Sequence, residues 1–249
     1  MVETNGLCKE FRDKTGVKRA VDNVSFLARE GEIFGLLGVN GAGKTTTLRI
    51  LSTVIRATSG TATVNGYDVV KDSEKVRASI GFMSTSTALY GRLTGKETLE
   101  YFGKLYGLSS ARIAERIGFV TEKLNLGEFI GKLCDTLSTG QKQRVNIART
   151  ILHDPAVLFL DEPTSGLDIV TSQAVMEFIE DSRAQGKTIV FSSHIMSEAE
   201  RLCDRIAIIH DGHIGAEGTL AELKASTQSE TLEQAFLKIV KYERELSLA

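Results

Sequence analysis

Ile33-Phe34-Gly35-Leu36-Leu37 runs without a break into Gly38-Val39-Asn40-Gly41-Ala42-Gly43-Lys44-Thr45-Thr46, and the architecture follows from that junction. The first five residues form an apolar strand. The next eight fit G-x-x-x-x-G-K-[ST] at every fixed position. From Lys44 onward, Leu48, Leu51 and Ile55 recur at i, i+3 and i+7, the period of an amphipathic helix. Glycines in such a strand–loop–helix unit let backbone N–H groups close around phosphate oxygens, and the helix N-terminus adds roughly half a positive charge. Lys44 would reach the β- and γ-phosphates of a nucleotide, and the Thr45 hydroxyl would hold Mg²⁺. The candidate nucleotide contacts are Gly38, Val39, Asn40, Gly41, Ala42, Gly43, Lys44, Thr45 and Thr46. The competing reading, a glycine-rich turn with a chance Lys-Thr, ignores both flanks.

Outward from this unit, strand signals return at Val157–Leu160, Thr188–Phe191 and Arg205–Ile209. Helical patterns separate them, notably Val170–Ala184, which Gly186 closes. Alternation of this kind predicts an α/β chain with a mostly parallel sheet covered on both faces. The first 35 residues read as short strands. Asn65-Gly66 and Asp211-Gly212 are two-residue hairpin signals. Between about Thr94 and Arg149 strand signals are sparse, which predicts an inserted helical region. From Leu220 the chain reads as a polar helix and tail. His210 and His213 flank the Asp211-Gly212 turn and read as surface histidines, since no third metal ligand lies near them.

The strand Val157–Leu160 ends in Asp161-Glu162-Pro163. Two acids directly after a buried strand are costly unless each manages a cation or a proton. Asp161 is placed to bind Mg²⁺, and Glu162 to act as general base on an attacking water. His194 follows the next strand, after Ser192-Ser193. Loop, acid pair and histidine therefore share the C-terminal edge of the strands, where open parallel sheets form ligand crevices. On that edge His194 reads as a donor to the γ-phosphate or to developing charge. The bland alternatives are a solvated acidic turn and a structural histidine.

Composition sets the outer bounds. At roughly 150 residues per domain, 249 residues make one or two domains. With 42% hydrophobic and 25% charged residues the chain is neither disordered nor fibrous. A net charge of −2 gives no electrostatic footprint for nucleic acid. Apolar runs such as Ala156–Leu160 fall far short of the roughly 20 residues that cross a bilayer. Met1-Val2-Glu3-Thr4 does not open a secretory signal, so a cytosolic location is expected. Cys8, Cys134 and Cys203 are scattered and read as reduced structural thiols.

Leu137-Ser138-Thr139-Gly140-Gln141-Lys142-Gln143-Arg144 carries two readings at once. Ser138-x-x-Gln141 is a capping box, and a capped helix N-terminus is also an anion site. The octapeptide also resembles the signature of ABC-type ATPases. Together with the phosphate loop, Asp161-Glu162, Ser165-Gly166-Leu167-Asp168 and His194, it gives the motif order of an ABC transporter nucleotide-binding domain over nearly the whole chain. The signature form and the run from Ser192 to Glu200 resemble the NatA-type sodium-export and ABC-2-type exporter ATPases.

The resemblance implies a P-loop NTPase: a RecA-like parallel-sheet core, an antiparallel β-subdomain and an inserted α-helical subdomain. The ATPase domain would span 1–219, its helical subdomain about 85–149, and a C-terminal helical tail 220–249. It implies an ATP hydrolase acting as a head-to-tail dimer, either a homodimer or a pair with another ATPase subunit. Ser138, Thr139, Gly140 and Gln141 of one copy would complete the site of the other. Phe11 would stack on adenine, and Asp168 would couple the two sites. The implied partner is a separate integral membrane permease, met near the Ser84–Thr94 loop. The chain would then be cytoplasmic and peripheral to the membrane, not inserted in it. Sodium ranks first as cargo, a drug or lipid next. Two departures stand out. Thr139 replaces the usual second glycine, and the glutamine expected after Ile80-Gly81-Phe82-Met83 is missing, with Thr85 in its place as a shorter Mg²⁺ contact. The alternatives are a soluble ABC ATPase without a transport role and a nucleotide-binding regulator that does not hydrolyse.

Overall fold

The N-terminal stretch folds as two long strands, β1 (Val2–Asp13) and β2 (Gly16–Ala28), where short ones were expected. In the computed structural model, which describes residues 1–13, 16–84 and 88–247, their pairing is interrupted by register shifts at Thr4/Leu7, Leu7/Lys9 and Lys9/Glu10. Each shift breaks the alternation of apolar and polar residues, so one strand looks like several fragments. β3 (Ile33–Leu37) is buried at every position and leads through the glycine loop into α1 (Lys44–Leu51). That helix ends before Ile55, which packs against the core from the following loop. β4 (Ser59–Val64) pairs with β1, and Asn65-Gly66, both at positive φ, turn it into β5 (Tyr67–Asp68). These strands form an antiparallel sheet in the order β2-β1-β4-β5.

The rest of the chain builds the parallel layer. α2 (Ser73–Ser79) feeds β6 (Ile80–Ser84). The region with few strand signals contains α3 (Gly95–Leu105), α4 (Ser110–Lys123) and α5 (Thr139–Ile151). Then β7 (Val157–Asp161), α6 (Ile169–Ala184) and β8 (Thr188–Ser193) alternate, followed by α7 (Met196–Leu202) and the hairpin β9 (Arg205–His210) and β10 (His213–Gly218). The second sheet runs β10-β9-β3-β8-β7-β6. It is parallel from β9 to β6, with β10 antiparallel at its edge.

Successive side chains of a strand point to opposite faces, so each parallel strand feeds two cores. Leu158, Leu160, Ile189 and Phe191 pack with α3 to α6. Phe34, Leu36, Phe159 and Val190 pack with α1 and the antiparallel sheet. A third cluster corrects the expectation of a polar tail. α8 (Leu220–Thr227) and α9 (Leu232–Ser247) bury Leu223, Leu232, Phe236, Ile239 and Val240 against Leu37, Ile206 and Ile208. The spacing 232, 235, 236, 239, 240 was the signal for this seated helix. Among the described residues no helix is long and apolar enough to cross a membrane.

Candidate functional site

Glycine geometry shapes the loop after β3. Gly43 caps α1 at φ 110°, and a Cβ there would lie 2.6 Å from the Ala20 carbonyl. A Cβ at Gly38 would overlap the Ile209 carbonyl, while Gly41, at φ 83°, faces open space. The loop is therefore held between β2 and β9 with no room for side chains on its packed side. On its other side lies a cavity of about 280 Å³. Asn40, Gly41, Gly43, Lys44, Thr45 and Thr46 line it, whereas Gly38, Val39 and Ala42 do not. Amides in the first turn of α1 lack intrahelical acceptors and, with the helix dipole, put positive charge beside this cavity.

Lys44 is 4% exposed. Its ammonium donates to the Gly38 and Val39 carbonyls at 2.7 and 3.1 Å and stands 3.3 Å from Glu162 Oε1. His194 Nδ1 is 3.3 Å from the same oxygen. A single carboxylate oxygen thus joins a cation from the loop and an imidazole from the end of β8. Next to it, Asp161 Oδ1 accepts from Thr45 Oγ1 at 3.0 Å and from Ser192 Oγ at 2.7 Å. Its other oxygen accepts from Ser84 Oγ at 3.4 Å. A buried carboxylate surrounded by hydroxyl oxygens is the donor set a hard divalent cation takes, so Thr45 and Asp161 suit Mg²⁺. Thr85 lies outside the described residues.

Phe11 is 45% exposed and lines the loop cavity with Lys18 and Ala20, so it is a surface ring rather than a core one. The Lys9 ammonium sits 5.1 Å from its ring centre. Ser138 caps α5, accepting from the Gln141 amide at 3.2 Å while Gln141 Oε1 accepts from the Ser138 amide at 3.0 Å. Ser138 and Thr139 are exposed, free of their own subunit's core. Gly140 abuts α6, where a Cβ would come within 2.8 Å of Thr171 Oγ1. Asp168 caps α6, and bonds from the Thr171 amide and hydroxyl hold its carboxyl below the usual range. Ile169 and Val170 follow it, 88% and 75% exposed.

Two functional contacts escaped the sequence reading. Gln143 donates to the Pro163 carbonyl at 2.6 Å, tying α5 to the loop after the acid pair. Ser192 bonds both acids, and its signal was a polar residue at the end of an otherwise apolar strand. One expectation is corrected: His210 is 2% exposed, not a surface residue. Gly212 of the turn folds back on the glycine loop, while Asp211 stays in solvent. The Gly212 amide donates to Ala42 O at 3.0 Å, and its carbonyl accepts from the Asp22 amide at 2.7 Å. A separate groove of about 330 Å³ lies beside Ser84, lined by Phe82, Phe102, Tyr106 and Arg149, with the Arg149 guanidinium 5.0 Å from the centre of the Phe102 ring.

Comparison with known proteins follows the same lines. A family model described as "ABC transporter" matches residues 21–165. The ABC transporter ATP-binding protein NatA of Bacillus subtilis (strain 168) is 41% identical over 238 residues, covering 95% of this chain and 97% of that protein. The linearmycin resistance ATP-binding protein LnrL of the same organism is 38% identical, over 94% of this chain and 74% of LnrL. The dimeric post-hydrolysis state of the ATP-binding cassette MJ0796, bound to ADP and Pi, is similar at TM-score 0.80 and 28% identity, covering 88% of this chain and 99% of that one.

Proposed function

Because the chain belongs to the ABC transporter family of ATP-binding proteins, we propose that it hydrolyses ATP as a head-to-tail dimer beneath a separate membrane permease, with export as the outcome. The observation that carries the reading is the meeting of Lys44 and His194 on one oxygen of Glu162, beside the Thr45–Asp161 pair. Lys44 and the first-turn amides of α1 bind the β- and γ-phosphates, and Phe11 stacks on adenine at the mouth of the same cavity. Thr45 and Asp161 would hold Mg²⁺, which would supply charge neutralisation at the phosphates. Glu162 takes the proton of the attacking water. His194, whose Nδ1 stands 3.3 Å from Glu162 Oε1, orients that base and donates to charge developing on the γ-phosphate. Ser138, Thr139, Gly140 and Gln141 of a second copy close the site, and the Gly140–Thr171–Asp168 contact links the signature helix to the dimer face.

The division into an ATPase domain 1–219, with helical subdomain 85–149, and a tail 220–249 belongs to the same reading, with the tail docked rather than free. The groove at Arg149 supports a permease contact on the side of Ser84, and the same reading has the protein act at the cytoplasmic face of the membrane. Sodium is the first candidate cargo, on the resemblance of the run Ser192–Glu200, with drugs or lipids next. Glu162→Gln tests the core of the proposal. The variant is expected to bind ATP, lose turnover by roughly 10²–10⁴, and accumulate as an ATP-bound dimer in size-exclusion chromatography. Parental turnover in that variant would remove Glu162 from the role of base.

A further inference from the structure

β8 reads Thr188-Ile189-Val190-Phe191 and then Ser192-Ser193, and all six are buried. Ser192 has no exposed surface. In the middle of a parallel sheet such a position is normally apolar, and a buried hydroxyl persists there only when its hydrogen bonds are met. Here they are met by the acid pair. Ser192 stands in register with Asp161 on the neighbouring strand. Its hydroxyl donates to Asp161 Oδ1 at 2.7 Å and accepts from the Glu162 amide at 3.1 Å. The same amide also reaches the Ser192 carbonyl at 3.1 Å.

Both bonds answer a need. Asp161 Oδ1 is the oxygen that also takes the Thr45 hydroxyl, so the Ser192 hydroxyl fixes which way that carboxylate faces. Glu162 sits at φ 48°, a left-handed conformation that costs a non-glycine residue about 1–3 kcal/mol unless its surroundings enforce it. We propose that Ser192 is a positioning residue of the hydrolytic site, orienting the Asp161 carboxylate and the Glu162 backbone through one hydroxyl. The proposal rests on the reading of Asp161 and Glu162 as metal ligand and base. Ser193 faces the other way, onto Glu198 and the Ile195 amide, and takes no part in it.

Ser192→Ala and the near-isosteric Ser192→Cys are the test, since the carbonyl of residue 192 still holds the Glu162 amide and the sheet has no reason to unfold. Both are expected to lower kcat about tenfold to a hundredfold, the worth of a bond to a charged group, while the affinity for ATP measured without divalent metal stays almost unchanged. Ser192→Thr keeps the hydroxyl and is expected to restore most of kcat. A second readout needs no turnover. In a Glu162→Gln background with ATP bound, Ser192→Ala is expected to weaken Mn²⁺ binding, followed by electron paramagnetic resonance, by about tenfold or more. Parental kcat and Mn²⁺ affinity in Ser192→Ala, beside an inactive Glu162→Gln, would overturn the proposal and leave the acid pair's roles standing. A joint fall of kcat, ATP affinity and melting temperature would overturn it too, as the pattern of a packing defect. An active Glu162→Gln would instead remove the reading beneath it.

Discussion

A missing side chain can constrain a residue as firmly as a charged one. Gly43 sits at φ 110° with the Ala20 carbonyl 2.6 Å from where a Cβ would stand. Gly43→Ala therefore meets backbone strain of about 1–3 kcal/mol and a carbonyl that belongs to a sheet strand and cannot easily give. The expected outcome is a folded protein, melting a few degrees lower, that no longer binds a fluorescent ATP analogue. Gly41→Ala meets strain without collision, because Gly41 faces open space, and should retain measurable affinity. Equal affinity in the two variants would mean that the collision is relieved elsewhere. The spacing of these glycines was plain in the sequence. What they touch was not, since Ala20 and Ile209 come from strands far away along the chain.

Among the elements, the end of α5 carries a titration that the sequence did not announce. His153 stacks on Tyr106 at 3.6 Å between ring centres, and its Nε2–H donates to the Ile80 carbonyl at 2.9 Å. Burial pushes its pKa down from 6.5 to about 4. The unfolded chain thus takes up this proton first, so stability is fully present above about pH 6.5, falls as pH drops toward about 4, and changes no further below that. The loss across the window is about 3 kcal/mol. His153→Gln keeps a donor for Ile80 without the titration, and urea melts between about pH 7 and pH 4 should show a shallower decline than in the parent. Identical declines would assign the effect to another group. Legibility follows burial here. β3, β7 and β8 could be read because every position is apolar or functional. β1 and β2 were fragmented by bulges, and the packed face of α9 was overlooked because charged residues separate its apolar ones. The acid pair, the loop and the signature cap were legible as local strings. Gln143 and Ser192 were not, because their importance lies in partners on other elements.

For the molecule as a whole, the face around the start of α6 is the one that looks unfinished. Ile169 and Val170 stand largely in solvent beside the capping Asp168 and just before Thr171, the residue that abuts Gly140, and adjoining apolar side chains so exposed mark a contact surface. Ile169→Glu should leave the melting temperature and the ATP affinity of the single subunit unchanged while abolishing ATP-driven dimerisation in light scattering. A variant that still pairs with ATP would place the dimer face elsewhere. The ribbon bearing Phe11 and the loop bearing Lys44 meet a third party, the turn at Gly212, through two backbone hydrogen bonds. That fastening has one letter of its own, Gly212, at φ 88° with a Cβ position 3.2 Å from the Ala20 carbonyl. Relatives could rewrite the neighbouring side chains of the turn and keep it intact, and a residue-by-residue alanine survey would strike it only at Gly212, where a pin made of amide and carbonyl leaves little room for a methyl group.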